Sequence, residues 1–97
     1  MKKEEIIKIL REANKEIKRR YRAEIKGIFG SYVRGEEKTG SDIDVLVEFE
    51  PEADLIDFVG LSIFLEEKLG IHKVDVVPCD TIREEIRENV LKEAIYL

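Results

Sequence analysis

The chain has 97 residues, of which 43% are hydrophobic and 40% are charged, and its formal net charge is −5 at pH 7. This length suits one domain spanning residues 1–97, and the hydrophobic share excludes a disordered chain. The acidic balance argues against a general nucleic-acid binder, and the single cysteine excludes an internal disulfide. No apolar segment is long enough to span a bilayer and no signal peptide precedes the domain, so we expect a cytoplasmic protein.

A helix followed by a strand opens the chain. Residues 3–20 repeat apolar side chains at helical spacing, which favours a helix that covers the core over an interaction helix. Its apolar positions are Ile6, Ile7, Leu10, Ala13 and Ile17. The pattern of residues 25–29 predicts a strand in which Ile25, Gly27 and Phe29 lie on one side. Lys26 and Ile28 lie on the other.

The middle of the chain predicts a second strand and a long apolar helix. The link from Gly30 to Ser41 is too short for a parallel crossover, so the strand over residues 42–50 should lie antiparallel to the first. Pro51 ends this strand, and Asp54 is positioned to cap the next helix. That helix spans residues 55–69. It is apolar on so much of its circumference that it either serves the core alone or is partly an interface.

The last third of the chain predicts a third strand at residues 74–77 and a helix at residues 82–94. Thr81 and Glu84 have the spacing of a capping box. The apolar residues 95–97 either pack back on the domain or insert into a partner, and we expect the former. The elements together predict an α/β (α+β) fold in which helices flank a small mixed β-sheet of three to four strands.

The residues that bear chemistry lie between the first two strands. A glycine-led turn at Gly30 lets backbone N–H groups approach a phosphate, and the Ser31 hydroxyl adds a donor. Arg34 supplies a planar cationic group. Asp42 and Asp44 are two apart on a strand, so both carboxylates project from one face. Taken singly, each feature also fits ordinary turn chemistry.

Asp44 favours the functional interpretation. It interrupts a strand that is otherwise apolar, where two like charges are costly unless a cation binds them. Carboxylate oxygens arranged in this way suit Mg²⁺ that carries substrate phosphates. Asp75 lies in a later apolar strand, which a right-handed helical crossover should place parallel to the second strand. Asp75 is then expected beside Asp42 and Asp44, although taken alone it would be interpreted as a solvent-facing residue.

These residues resemble the signature of the DNA polymerase β-type nucleotidyltransferase superfamily. The short chain resembles its minimal nucleotidyltransferase branch, which includes MntA-like antitoxins paired with HEPN toxins. The resemblance covers residues 25–78, and the flanking helices carry no signature. One departure is Val33, where the family often has a small residue. The residues that match are Gly30-Ser31, Arg34-Gly35, Ser41-Asp42-x-Asp44 and Asp75.

The resemblance implies a metal-dependent site. By it, Asp42 and Asp44 hold two Mg²⁺ ions, with Mn²⁺ as an alternative. Asp75 completes the first metal site and helps to deprotonate the nucleophile. Three carboxylates around two divalent cations are the arrangement that two-metal phosphoryl transfer requires. Whether Asp75 acts as a base or only as a ligand is not decided by the sequence.

The resemblance also implies the substrates. Gly30 N–H and Ser31 would hold the β- and γ-phosphates of ATP or another nucleoside triphosphate. Arg34 would either contact these phosphates or form an ion pair with a loop glutamate. The reaction implied is the transfer of a nucleotidyl group, AMP from ATP, to a hydroxyl group. By family analogy the acceptor is a tyrosine of a HEPN-domain toxin, which makes the chain an antitoxin.

Two other functions compete with this one. The apolar helix over residues 55–69 and the apolar tail motivate a non-catalytic antitoxin that masks its partner, with a vestigial or nucleotide-sensing site. A nucleotidyltransferase of the tRNA-modifying kind is disfavoured by acidity and size. The identity of the acceptor, the base preference and any homo-oligomer stay open.

Overall fold

A computed structural model describes residues 3–30, 43–71, 73–82 and 84–97. Within these ranges the chain forms three α-helices and four strands: α1 (Lys3–Tyr21), β1 (Ala23–Phe29), β2 (Ile43–Phe49), α2 (Leu55–Leu69), β3 (Val74–Pro78), α3 (Glu84–Glu93) and β4 (Ile95–Tyr96). The strands form one mixed sheet in the order β3-β2-β1-β4, which confirms the predicted fold class. None of the helices in the described ranges combines the length and apolar character that crossing a membrane requires.

The strand directions follow from the lengths of the connections. β1 and β2 are antiparallel, and β2 and β3 are parallel across the α2 crossover, so both predictions are confirmed. β4 runs antiparallel to β1, with Ile95 opposite Ile28 and Tyr96 opposite Gly27. The apolar C-terminal residues therefore pack back on the sheet. Gly27 permits this contact, because a side chain there would collide with the carbonyl oxygen of Ile95.

The predicted alternation of β1 is wrong beyond its midpoint. The pairing with β2 shifts between Ile25 and Gly27, which leaves Lys26 as an extra residue in a β-bulge. Ile25 and Ile28 consequently both lie buried in the core, whereas Gly27 and Phe29 turn to the opposite face of the sheet. A strict period of two cannot anticipate this reversal, because the bulge adds one residue to one strand only.

The hydrophobic core lies between the sheet and the two long helices. α1 and α2 pack on one face, where the predicted stripe of α1 is confirmed. The fully buried residues of α1 are Ile6, Leu10 and Ile17, with Ala13 at 4% exposure. β2 contributes Ile43, Val45 and Val47 to the same core. The other face of β2, on which Asp44 lies, is therefore turned away from both helices.

Asn14 fastens α1 to β1 through both polar atoms of its side chain. Its Oδ1 accepts from the Ile25 N–H at 2.9 Å, and its Nδ2 donates to the Ile25 carbonyl at 3.2 Å. We expect Asn14→Ala to lower the free energy of unfolding by about 1–3 kcal/mol, because two partly buried backbone groups lose their partner. Urea denaturation measures this loss. Asn14→Asp keeps the acceptor but sets a carboxylate oxygen against the Ile25 carbonyl oxygen, so it should also be less stable than wild type. Equal stability of all three proteins would contradict the prediction.

The limits of α2 agree with the sequence-based prediction. Asp54 Oδ1 accepts from the Asp57 N–H at 2.9 Å, and Asp57 Oδ2 accepts from the Asp54 N–H at 3.1 Å. This reciprocal capping box confirms the predicted cap at Asp54. Gly70 ends the helix in the left-handed conformation, with φ 65°.

The predicted capping box of the last helix is wrong. Thr81 Oγ1 donates to the Pro78 carbonyl at 2.9 Å within a short 3-10 turn at Cys79–Thr81. Ile82 then has extended backbone, and α3 begins only at Glu84. The local turn after Pro78 therefore uses the hydroxyl that the motif assigned to the helix N-terminus.

Candidate active site

The described ranges contain half of the predicted site. Three of the predicted residues lie within these ranges: Gly30, Asp44 and Asp75. The other three lie outside them: Ser31, Arg34 and Asp42. The roles assigned to these last three stay predictions, and the geometry below concerns the first three.

Asp44 and Asp75 lie side by side in the sheet. The parallel register of β2 and β3 pairs Asp44 with Asp75, in the row next to the buried pair of Val45 and Val76. Neighbouring strands are about 4.8 Å apart, and side chains alternate between faces. Both aspartates therefore project from the face that the long helices leave open, and both are half-buried. This confirms that the α2 crossover brings Asp75 beside Asp44.

The paired carboxylates concentrate negative charge on this face. Like charges directly opposite each other on neighbouring strands destabilise a sheet. Lys73 Nζ lies 3.9 Å from Asp75 Oδ1, but the two side chains are 60% and 40% exposed, so this ion pair is weakened by water. A divalent cation between the carboxylates would offset the repulsion far better, because it brings two charges to the oxygens themselves.

Gly30 lies directly against Asp44. It follows Phe29, which pairs with Asp44 across β1 and β2. Its φ of +89° is a conformation that side-chain-bearing residues rarely adopt. A Cβ atom at Gly30 would also collide with the Asp44 carboxylate. The backbone at the end of β1 can therefore approach the carboxylates only because this residue is glycine.

The donor set fits Mg²⁺ or Mn²⁺. Both ions prefer carboxylate oxygens and retain coordination positions for water or phosphate. Asp44 and Asp75 supply two such groups, and Gly30 keeps the space beside Asp44 clear. In the described part of the chain no group of three His, Cys, Asp or Glu side chains could hold a metal ion. The predicted third ligand, Asp42, lies outside that part.

Two further residues border the site and were not singled out from the sequence. Phe29 shares the face of Asp44, and the bulge in β1 hid this placement by reversing the alternation. Lys73 lies near Asp75, with its Nζ atom 3.9 Å from the Asp75 Oδ1 atom. Lys73 directly precedes β3, and its position two residues before Asp75 was the available signal.

Comparison with known proteins gives consistent matches over the whole chain. The sequence profile of the nucleotidyltransferase domain matches residues 4–97. The protein adenylyltransferase MntA of Thermococcus cleftensis is 43% identical over 94 residues, which are 97% of this chain and 94% of that protein.

Two solved structures share the fold. One is described as a minimal nucleotidyltransferase and superposes with a TM-score of 0.81 at 39% identity, covering 100% of this chain and 97% of that one. The other is a toxin–antitoxin complex with AMP-PNP, with a TM-score of 0.68 at 25% identity, covering 99% of this chain and 72% of that one.

Proposed function

Because this chain belongs to the nucleotidyltransferase domain family and is an enzyme of that class, we propose that it transfers AMP from ATP to a hydroxyl group of a partner protein. The observation that carries the proposal is the register that sets Asp44 beside Asp75, with Gly30 against Asp44. The relative from Thermococcus cleftensis is named a protein adenylyltransferase, which supports a protein as the acceptor.

The partner we propose is a toxin, and the chain is its antitoxin. A neighbour in structure is a toxin–antitoxin complex that contains an ATP analogue, which supports both the partner and the nucleotide. We assign the acceptor to a tyrosine of a HEPN-type toxin, as the family resemblance implies. AMP attached to such a tyrosine adds a negative charge and a bulky group, either of which can block a neighbouring active site.

We assign the roles of the carboxylates from the pairing of Asp44 with Asp75 and, for Asp42, from the family resemblance. Asp44 and Asp75, with Asp42, would hold two Mg²⁺ or Mn²⁺ ions. When bound, such ions lower the pKa of the attacking hydroxyl and neutralise charge on the triphosphate. Asp75 is the aspartate we assign as the proton acceptor, because its side chain is 40% exposed and can meet an incoming hydroxyl.

We assign the orientation of the phosphates to Gly30 and the residue that follows it. The Gly30 N–H and the Ser31 hydroxyl are assigned to the β- and γ-phosphates, and Arg34 to phosphate or to a loop glutamate. The acceptor oxygen forms a bond to the α-phosphorus, and the bond from that phosphorus to the bridging oxygen breaks. Pyrophosphate leaves, and the proton of the hydroxyl passes to Asp75. Most of the acceleration comes from positioning and electrostatics.

Label transfer tests the proposal. The chain is incubated with α-labelled ATP, Mg²⁺ and the product of the neighbouring gene, with Asp42→Asn/Asp44→Asn as the control. We expect label on the partner with the wild-type chain and none with the control, and neutralisation of the partner only by the wild-type chain. No label together with equal neutralisation by both proteins would replace catalysis by masking. Label in RNA in place of protein would overturn the assigned acceptor.

A further inference from the structure

The described residues of the candidate active site form a row that runs across the sheet. Gly30 follows Phe29 on β1, and Phe29 pairs with Asp44 on β2. Asp44 in turn pairs with Asp75 on β3. Because neighbouring strands are about 4.8 Å apart, Gly30 and Asp75 lie roughly 10 Å apart, with Asp44 between them. The row therefore has a glycine end on β1 and a carboxylate end on β3.

The two ends of the row differ in what lies beside them. β1 has a strand on each side, whereas β3 is the outermost strand of the sheet that the described residues form. The side chain of Asp75 is 40% exposed at this edge. Lys73, which directly precedes β3, is 60% exposed. A substrate as large as a protein can thus approach the carboxylate end over the edge of β3.

The chemistry of the proposed transfer gives the row a direction. This step rests on the proposed function, in which the β- and γ-phosphates lie at Gly30 and pyrophosphate leaves on the β1 side. In phosphoryl transfer the attacking and the leaving oxygen lie roughly in line on opposite sides of the phosphorus. The acceptor oxygen must then enter from the β3 side. Asp75 and Lys73 both lie on that side.

Lys73 brings a positive charge to this entrance. Its Nζ atom lies 3.9 Å from the Asp75 Oδ1 atom, which is longer than a hydrogen bond, so the two groups form a loose ion pair in contact with water. A lysine carries its three donors on a flexible four-carbon stem. The ammonium group can therefore move from the carboxylate to another anion a few ångströms away. An acceptor oxygen that loses its proton beside Asp75 is such an anion.

We propose that Lys73 contacts the acceptor oxygen and stabilises the negative charge that develops on it during the transfer. The proton of the hydroxyl passes to Asp75, the oxygen forms its bond to the α-phosphorus, and pyrophosphate leaves on the opposite side. Lys73 keeps its own protons throughout. A cation that is already in place where charge develops favours the transition state over the bound substrates. The contribution of Lys73 should therefore appear in kcat and not in the binding of ATP.

Rates of label transfer test this role. The chain is incubated with Mg²⁺, a saturating amount of the product of the neighbouring gene and varied concentrations of α-labelled ATP. Lys73→Gln should lower kcat about 10- to 100-fold and leave the KM for ATP within about twofold of wild type. Lys73→Arg keeps a cation at the entrance and should recover most of the lost rate. Calorimetry should give the same affinity for ATP with Mg²⁺ for all three proteins.

Lys26→Gln is the matched control. The Lys26 Nζ atom lies 3.2 Å from Glu24 Oε1 and 3.8 Å from Glu48 Oε2. Glu48 is four residues beyond Asp44 on β2, which is about 13 Å along the strand. The control therefore removes the same charge at a distance from the aspartates, and it should keep kcat within about twofold of wild type. Thermal unfolding verifies that each variant is folded.

The outcomes separate the role of Lys73 from the proposed function. Label transfer by the wild-type chain with an unchanged kcat for Lys73→Gln overturns the role of Lys73 alone. A raised KM for ATP with an unchanged kcat overturns it too, because Lys73 would then serve the nucleotide. Equal losses from Lys73→Gln and Lys73→Arg would show that the positive charge is not what contributes. No label with the wild-type chain overturns the proposed function, and the role of Lys73 in transfer with it.

Discussion

Asp44→Asn is expected to reduce nucleotidyl transfer at least about a thousandfold. Asparagine keeps the size of the side chain but removes the charge that a divalent cation requires. Asp44 occupies the centre of the site, because it pairs with Asp75 on one side and with Phe29 on the other. The rate of label transfer to the partner protein at saturating ATP measures the effect, and co-purification verifies that the variant still binds the partner.

Asp75→Asn extends the same experiment to stability. Transfer should fall about 10²- to 10³-fold. The free energy of unfolding should stay within about 0.5 kcal/mol of wild type, because a weak, exposed ion pair with Lys73 is lost while repulsion from Asp44 is relieved. A loss of activity without a loss of stability is the signature of a residue that serves chemistry and not the fold.

A matched control lies on the same strand. Glu48 shares the face of Asp44, and its side chain is 63% exposed. Its Oε2 atom lies 3.8 Å from the Nζ atom of Lys26. Glu48→Gln should therefore retain transfer within about twofold, because it removes a charge from that face without touching the aspartate pair. Equal losses from Glu48→Gln and Asp44→Asn would show that general acidity, and not the register of the pair, supports activity.

Gly30→Ala is expected to reduce transfer at least about a hundredfold, since small misplacements at a reacting centre have effects of that size. It should also lower the free energy of unfolding by about 2 kcal/mol or more. Two effects add: the φ of +89° becomes strained, and the new methyl group displaces the Asp44 carboxylate. Thermal unfolding and label transfer measure the two losses separately.

Gly70→Ala separates strain from collision. Gly70 also has positive φ, but no atom lies within 4 Å of the position a Cβ would take. The substitution should therefore cost about 1 kcal/mol of stability and leave transfer unchanged. Should both glycine variants lose activity equally, backbone strain alone would account for the effect, and the contact between Gly30 and Asp44 would have no special role.

Local signals in the sequence predicted much of the fold. α2 and its cap at Asp54 depend on residues a few positions apart, so their chemistry can be interpreted without the tertiary structure. The pairing of Asp44 with Asp75 was accessible for a related reason: the link lengths set the strand directions, and the directions set the neighbours.

The failures arose where distant contacts decide the local structure. The bulge at Lys26 changes the pairing with β2, and the local signal for it was the glycine that follows, Gly27. Thr81 could bond either to the helix that follows or to the turn that precedes it, and the turn prevails. The exposure of Ile56 depends on which side of α2 meets the sheet, which the nearly continuous apolar sequence does not specify.

The bulge in β1 also bears on how this segment can change during evolution. Lys26 is the extra residue that lets Ile25 and Ile28 share one face, and it thereby sets the side on which the strand arrives at Gly30. Removing or adding one residue between Ala23 and Gly30 would turn Gly30 away from Asp44. Substitutions that preserve the polarity of this segment would leave Gly30 facing Asp44. We therefore expect natural variants to differ in this segment by replacement and not by insertion or deletion.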